Sequence, residues 1–171
     1  MSETATMPRP SLIFKQMSTD RRRQAAEAFW RSTQDPQEQA EVVSLIAQRL
    51  KFRTKSVVVL PIEKKTNYLL GLLSLPEMVA ARLLVAYHIT HQRPLMSAFL
   101  DALGITHDNG MIAEETDVAP AADKLQAAVK TIAASFPAED VAVYLSTLYW
   151  QNTDVWGPLA GLPESKMPAR P

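Results

Sequence analysis

An all-α chain, a single-domain and bundle-like array of six or seven proline-started helices, follows from three observations. Glycine fills only 5 of 171 positions while proline fills 12, an imbalance that favours proline-opened helices over glycine-turned hairpins. Acids follow the prolines within one turn, at Glu38 after Pro36, Glu63 after Pro61, Glu77 after Pro76, Asp123 after Pro120 and Glu139 after Pro137. The positive end of a helix dipole stabilises them there. Apolar residues then recur three or four apart, as in Val42, Val43, Ile46 and Leu50, or Leu125, Val129, Ile132 and Phe136, which is the spacing of one helical face.

Residues 1–17 read as a flexible lead with one apolar anchor, Leu12-Ile13-Phe14. A helical domain over 18–151 follows, with helices expected at 19–33, 36–52, 61–74, 76–91, 94–103, 119–135 and 137–151. The first opens on Arg21-Arg22-Arg23, cations at the end that the dipole disfavours; Asp20 and Glu27 are the local partners expected. Phe29 and Trp30 belong to its core face. Val57-Val58-Val59-Leu60 is the best strand candidate, but it lacks a partner and Pro61 closes it, so it is assigned to a loop.

Helix 76–91 carries almost no polar face, which makes it the interior helix. Arg82 in its middle then requires a structural ion pair, because an unpaired buried charge is very costly. Helix 94–103 should stop at a left-handed Gly104 with Ile105 folding back. Asn109-Gly110 is a hairpin cue, but the residues around it are also assigned mainly to a loop. Residues 152–171 form a Pro-rich tail that cannot continue a helix, and Trp156, Leu159 and Leu162 are expected to pack it back onto the domain.

A hydrophobic share of 47% and a charged share of 21% exclude a disordered chain, and the absence of cysteine excludes disulfides, thiolate ligands and thiol nucleophiles. Lys plus Arg equals Asp plus Glu at 18 each, so there is no global charge excess for a polyanion. The apolar stretch 69–89 is broken by Pro76, Glu77, Arg82 and His88, unlike a bilayer span of roughly 20 residues. A cytoplasmic location and no membrane partner are expected. The glycines stand at least four apart, which excludes the dinucleotide fingerprint and the phosphate-cradling loop. Serine-hydrolase elbow and zincin patterns are missing as well.

The sharpest chemical candidate is the set His88, His91 and His107. Two histidines three apart share a helix face and could reach one transition metal, with His107 or a carboxylate from Asp108, Glu114, Glu115 or Asp117 closing the shell. Helix capping is the simpler role for His88 and His91, and Glu114, Glu115 and Asp117 read as a solvated acidic loop. The stretch around Gly110 fails as a calcium loop, since Ile105 and Thr116 would fall where carboxylates are needed.

Residues 1–65 hold 12 basic against 7 acidic side chains, and residues 66–171 hold 6 against 11. Arg49, Lys51, Arg53, Lys55, Lys64 and Lys65 concentrate the positive charge, a candidate nucleic-acid-binding segment for which a solvated basic face is the simpler reading. The expected function is a non-catalytic interaction or assembly module, a homo-oligomer or bound to a protein partner, with no cofactor. A metal-dependent enzyme built on the histidines and a nucleic-acid-binding regulator built on segment 49–65 are the alternatives.

Overall fold

The structure, a computed structural model, describes residues 6–32, 35–113 and 116–168. Within them the chain runs α1 (Pro10–Gln16), α2 (Thr19–Ser32), α3 (Pro36–Leu50), α4 (Thr54–Val58), α5 (Ile62–Leu70), α6 (Glu77–His91) and α7 (Arg93–Leu103). A hairpin of β1 (His107–Asp108) and β2 (Met111–Ile112) follows, then α8 (Ala122–Ala133), α9 (Ala138–Gln151), α10 (Thr153–Trp156) and two 3-10 turns at Gly157–Gly161 and Pro163–Ser165. The fold is all-α, and α2, α3 and α5–α9 are the seven helices expected from sequence. Among the described residues no helix is long and apolar enough to cross a membrane.

Local chemistry sets the helix ends. Asp35 caps α3 by accepting from the Gln37 amide at 2.9 Å, and Pro36 takes the first helical position, where its missing N–H is harmless. The same helix ends at Lys51, which adopts a left-handed φ of 59° while the Phe52 amide donates to the Ala47 carbonyl at 2.9 Å. Gly104 ends α7 with φ 71°, and the Ile105 amide donates to the Leu100 carbonyl at 3.0 Å, the expected stop.

Four segments differ from the expectation or extend it. The flexible lead contains α1, whose Ile13 and Phe14 are buried with Met17 in the core cluster of α2 and α6, while Met7 is buried in the cluster of α7 to the tail. The strand candidate 57–60 is instead the end of α4 and its turn: Val57 is fully buried while Val58 and Val59 are exposed, and no neighbouring strand offers partners. The tail does pack back, burying Trp156 and Leu159, with the Ser165 hydroxyl donating to the Leu159 carbonyl at 2.5 Å.

The fourth segment is the loop around Asn109-Gly110, which is a true hairpin pairing His107 with Ile112 and Asp108 with Met111. Asn109 at φ 49° and Gly110 at φ 91° supply the two positive φ values of a turn whose twist matches the strands. A Cβ on Gly110 would lie 2.6 Å from the Met96 Cβ, so the turn is seated directly on α7. Gly110→Ala is therefore expected to lower stability by about 1–3 kcal/mol in urea unfolding; an unchanged midpoint would contradict this seating.

Two clusters of buried apolar residues form the core. One gathers α1 to α6, including Phe29, Ile46, Leu83 and Tyr87. The other gathers α7 to the tail, including Leu95, Phe99, Leu125, Leu145 and Trp156. Helix α9 serves both, with Val143 in the first and Tyr144 in the second. Helix α6 buries Val79, Ala80, Leu83, Leu84, Ala86, Tyr87 and His88 but leaves Met78 exposed, so it is interior on one side only. Arg82 stands on the open side and has the expected ion pairs, to Glu41 at 2.5 Å and Glu38 at 3.6 Å.

Candidate functional site

Where α2, α6 and α9 meet, Asp140 is the centre of a polar network. It sits in the first turn of α9, 5% exposed, and accepts from Arg21 Nε at 2.8 Å, Arg21 Nη2 at 3.1 Å and the Tyr87 hydroxyl at 2.9 Å. Gln92 Nε2 donates in turn to the Tyr87 oxygen at 2.8 Å. Glu139 accepts from Arg21 Nη1 at 2.8 Å and from the Ser18 amide at 2.6 Å. A two-pronged guanidinium–carboxylate pair of this kind is strong and directional. The hydrogen bond to Asp140 raises the Arg21 pKa, and burial pushes the Tyr87 phenol up to about 12. None of the side-chain atoms in this network is buried without a partner, and its bonds join α2, α6 and α9.

His88, one residue beyond Tyr87, is in a different position. It is 2% exposed, and its Nδ1–H donates to the Leu84 carbonyl at 2.7 Å. That bond fixes the neutral tautomer and leaves Nε2 as a bare acceptor, buried with no hydrogen-bond partner. Burial lowers the His88 pKa to about 4, against the opposing pull of its own backbone bond and of Asp140. A buried acceptor with nothing to accept from costs about 1–3 kcal/mol. Native structures rarely keep such a group without a reason.

The His88 ring lines a cavity of about 160 Å³. Helix α6 contributes Val85 and Ile89 to its wall, α7 contributes Met96 and Leu100, and α9 contributes Tyr144, Thr147 and Leu148. The hairpin supplies Gly110, Met111 and Ile112, and Gln151 ends the wall on α9. The Tyr144 ring lies 5.4 Å from the His88 ring, and burial alone pushes its phenol above the ordinary range. Thr147 spends its hydroxyl hydrogen on the Val143 carbonyl at 2.8 Å. The wall is thus apolar apart from a few oriented polar atoms, the usual make-up of a small-molecule site.

The hairpin is tied to α7 at two points and braced internally at a third. Arg93 Nη1 donates to the Asn109 carbonyl at 3.0 Å, the Gly110 amide donates to His107 Nδ1 at 2.9 Å, and His107 Nε2–H donates to Asp101 at 2.7 Å. Both ring nitrogens of His107 are engaged in holding this wall of the cavity. His91 is exposed at the end of α6, its ring 5.7 Å from that of Tyr87. Among the described residues no group of three or more metal-capable side chains comes together. Glu114 and Glu115 lie outside the described residues, and Asp108 and Asp117 are exposed.

Of the basic segment, Arg49 and Lys65 have side-chain contacts and the others are exposed. Arg49 donates to the Ser74 hydroxyl at 3.3 Å, and the Lys65 ammonium stands 4.8 Å from the centre of the Trp30 ring. Lys51 forms the left-handed stop of α3, Arg53 precedes α4, and Lys55 and Lys64 are exposed on α4 and α5.

Comparison with protein-family models, with curated proteins and with solved structures finds no significant match. The functional reading rests on the geometry. Sequence reasoning singled out His88 but missed Tyr144, Thr147 and Met96 as its company, because apolar and aromatic residues at helical spacing look the same whether they line a cavity or fill a core. The Arg21–Asp140 pair was missed for another reason: its partners lie 119 residues apart. The cation at a helix start was its only sequence sign.

Proposed function

We propose that this chain is a non-catalytic binding protein whose partly open cavity beside His88 takes a small, mostly apolar molecule carrying one N–H or O–H donor. The observation that carries the reading is the unpartnered Nε2 of His88 in the wall of an otherwise apolar cavity. An engineered apolar cavity of about 150 Å³ admits benzene, so a single ring is the fitting size class. Contact with Val85, Ile89 and Leu100 supplies affinity without direction, and a donor reaching Nε2 supplies the orientation.

Calorimetric titration with p-cresol and toluene tests the proposal. p-Cresol should bind at one site per chain, about five- to tenfold more tightly than toluene. Val85→Phe, which places a ring in the cavity, should abolish both responses. Equal affinities for the two compounds, or full binding by Val85→Phe protein, would contradict the reading.

A further inference from the structure

A second concavity lies on the opposite core cluster, between α1, α2 and residues 69–75, the end of α5 and the segment that leads to α6. It is an open groove of about 540 Å³. The apolar part of its wall is formed by Leu12 and Phe14 of α1 and the leucines of residues 69–75. Leu73 is 98% exposed and Leu12 is 45% exposed, so the apolar wall is open to water. The charged groups in the lining are Lys15 and Arg22, both cationic. Among the described residues neither is in an ion pair. Arg22 Nη2 donates to the Thr19 hydroxyl at 3.3 Å, whereas its Nε is buried with no acceptor. Glu77, on the adjoining start of α6, is occupied by the Ser11 amide at 3.0 Å and the Ser11 hydroxyl at 2.5 Å.

We propose that this groove binds an acyl-chain monocarboxylate, its carboxylate on the Arg22 guanidinium and the Lys15 ammonium and its chain along Leu12, Phe14, Leu69 and Leu73. Two lining cations without an ion pair among the described residues call for an anionic acceptor, and a charge-assisted bond to a carboxylate is roughly twice as strong as a neutral one. Covering exposed leucines contributes about 25 cal/mol per Å² of apolar surface removed from water. Neither requirement alone selects the ligand. A simple anion leaves the leucines wet, and a neutral hydrocarbon leaves Lys15 and Arg22 without a counter-charge. The same chemistry is offered by a free fatty acid and by an anionic lipid in a bilayer; the groove is a recess between α1, α2 and the segment that follows α5, which suits the single free molecule.

Calorimetry on the full chain distinguishes these cases with decanoate, decanol and acetate as probes, and with vesicles of phosphatidylcholine and phosphatidylglycerol as a fourth arm. Decanoate should bind at one site per chain, about tenfold or more tighter than decanol, while acetate and the vesicles should give no response. Arg22→Gln should lower decanoate affinity about tenfold and leave decanol binding unchanged. Methyl resonances of Leu69 and Leu73 should shift with decanoate while those of Ile89, in the cavity beside His88, stay in place. Should Arg22→Gln protein fail to fold, Lys15→Gln, altering an exposed side chain, should still weaken decanoate selectively. Equal binding of decanoate and decanol, binding to vesicles without binding of free decanoate, or unchanged decanoate affinity in the folded variants would overturn the proposal.

Discussion

Replacing Asp140 by alanine should lower stability by about 3–5 kcal/mol, the usual consequence of removing one partner from a buried ion pair. The variant removes two of the bonds that position the Arg21 guanidinium, leaving Glu139 as its remaining carboxylate, and leaves the Tyr87 hydroxyl with only Gln92. Arg21→Ala should cost less, about 2 kcal/mol, because the Arg21 side chain is 27% exposed and the stranded carboxylate gains water through the vacated space. Tyr87→Phe should cost about 1 kcal/mol, since it deletes neutral-donor bonds and keeps the ring. Urea unfolding gives these differences directly, and a double-mutant cycle of Arg21 with Asp140 isolates their coupling. An Asp140→Ala protein within about 0.5 kcal/mol of the parent would show that α2, α6 and α9 are held by their apolar faces alone.

Acidification should weaken the fold through His88 in a defined window. Unfolded, this imidazole takes up a proton near its ordinary pKa of 6.5; folded, burial holds it to about 4. Between those values the unfolded state binds the proton and the folded state does not, so stability falls as pH drops from about 6.5 to about 4. The slope is up to about 1.4 kcal/mol per pH unit, and the whole window sums to about 3 kcal/mol. Above pH 6.5 the contribution is fully present. The groups facing His88 are the phenols of Tyr87 and Tyr144, both displaced upward, and Asp140, whose charge opposes the effect of burial. His88→Leu, which carries no titrating group, should lose this part of the acid sensitivity. Parallel stability–pH curves for parent and variant would contradict a neutral, buried His88.

The seven long helices were legible because each rests on signals that are local in the chain. Proline and an acid mark a start, apolar spacing gives the buried face, and Gly104 marks a stop. The stop of α3 was hidden because Lys51 adopts the left-handed conformation that sequence reasoning reserves for glycine. Helices α1 and α4 were hidden because five to seven residues hold too few turns for a periodicity to emerge, and short helices owe their stability to packing. The Asn109-Gly110 hairpin had its turn written plainly, yet strands of two residues have no alternation to detect.

The site was legible only in part. His88 drew attention as one of three histidines, and the structure gives those three separate surroundings: a partly open cavity for His88, the end of α6 for His91 and the hairpin anchor for His107. A vacancy between α6, α7 and α9 has no sequence sign, because it depends on how three helices and a hairpin fail to close. Arg21 and Asp140 are each unremarkable in their own helices, and what joins them is tertiary.

The ring nitrogens of His88 provide the most direct test of the proposed binding site. Nitrogen-15 spectra of the parent protein at pH 7 should show a protonated Nδ1 and a bare Nε2. Saturating p-cresol should move the Nε2 resonance as it accepts a hydrogen bond, while saturating toluene should leave it in place. An Nε2 resonance that is already protonated in the free protein, or that ignores p-cresol at saturation, would contradict the assignment of His88 as the acceptor that orients a bound molecule.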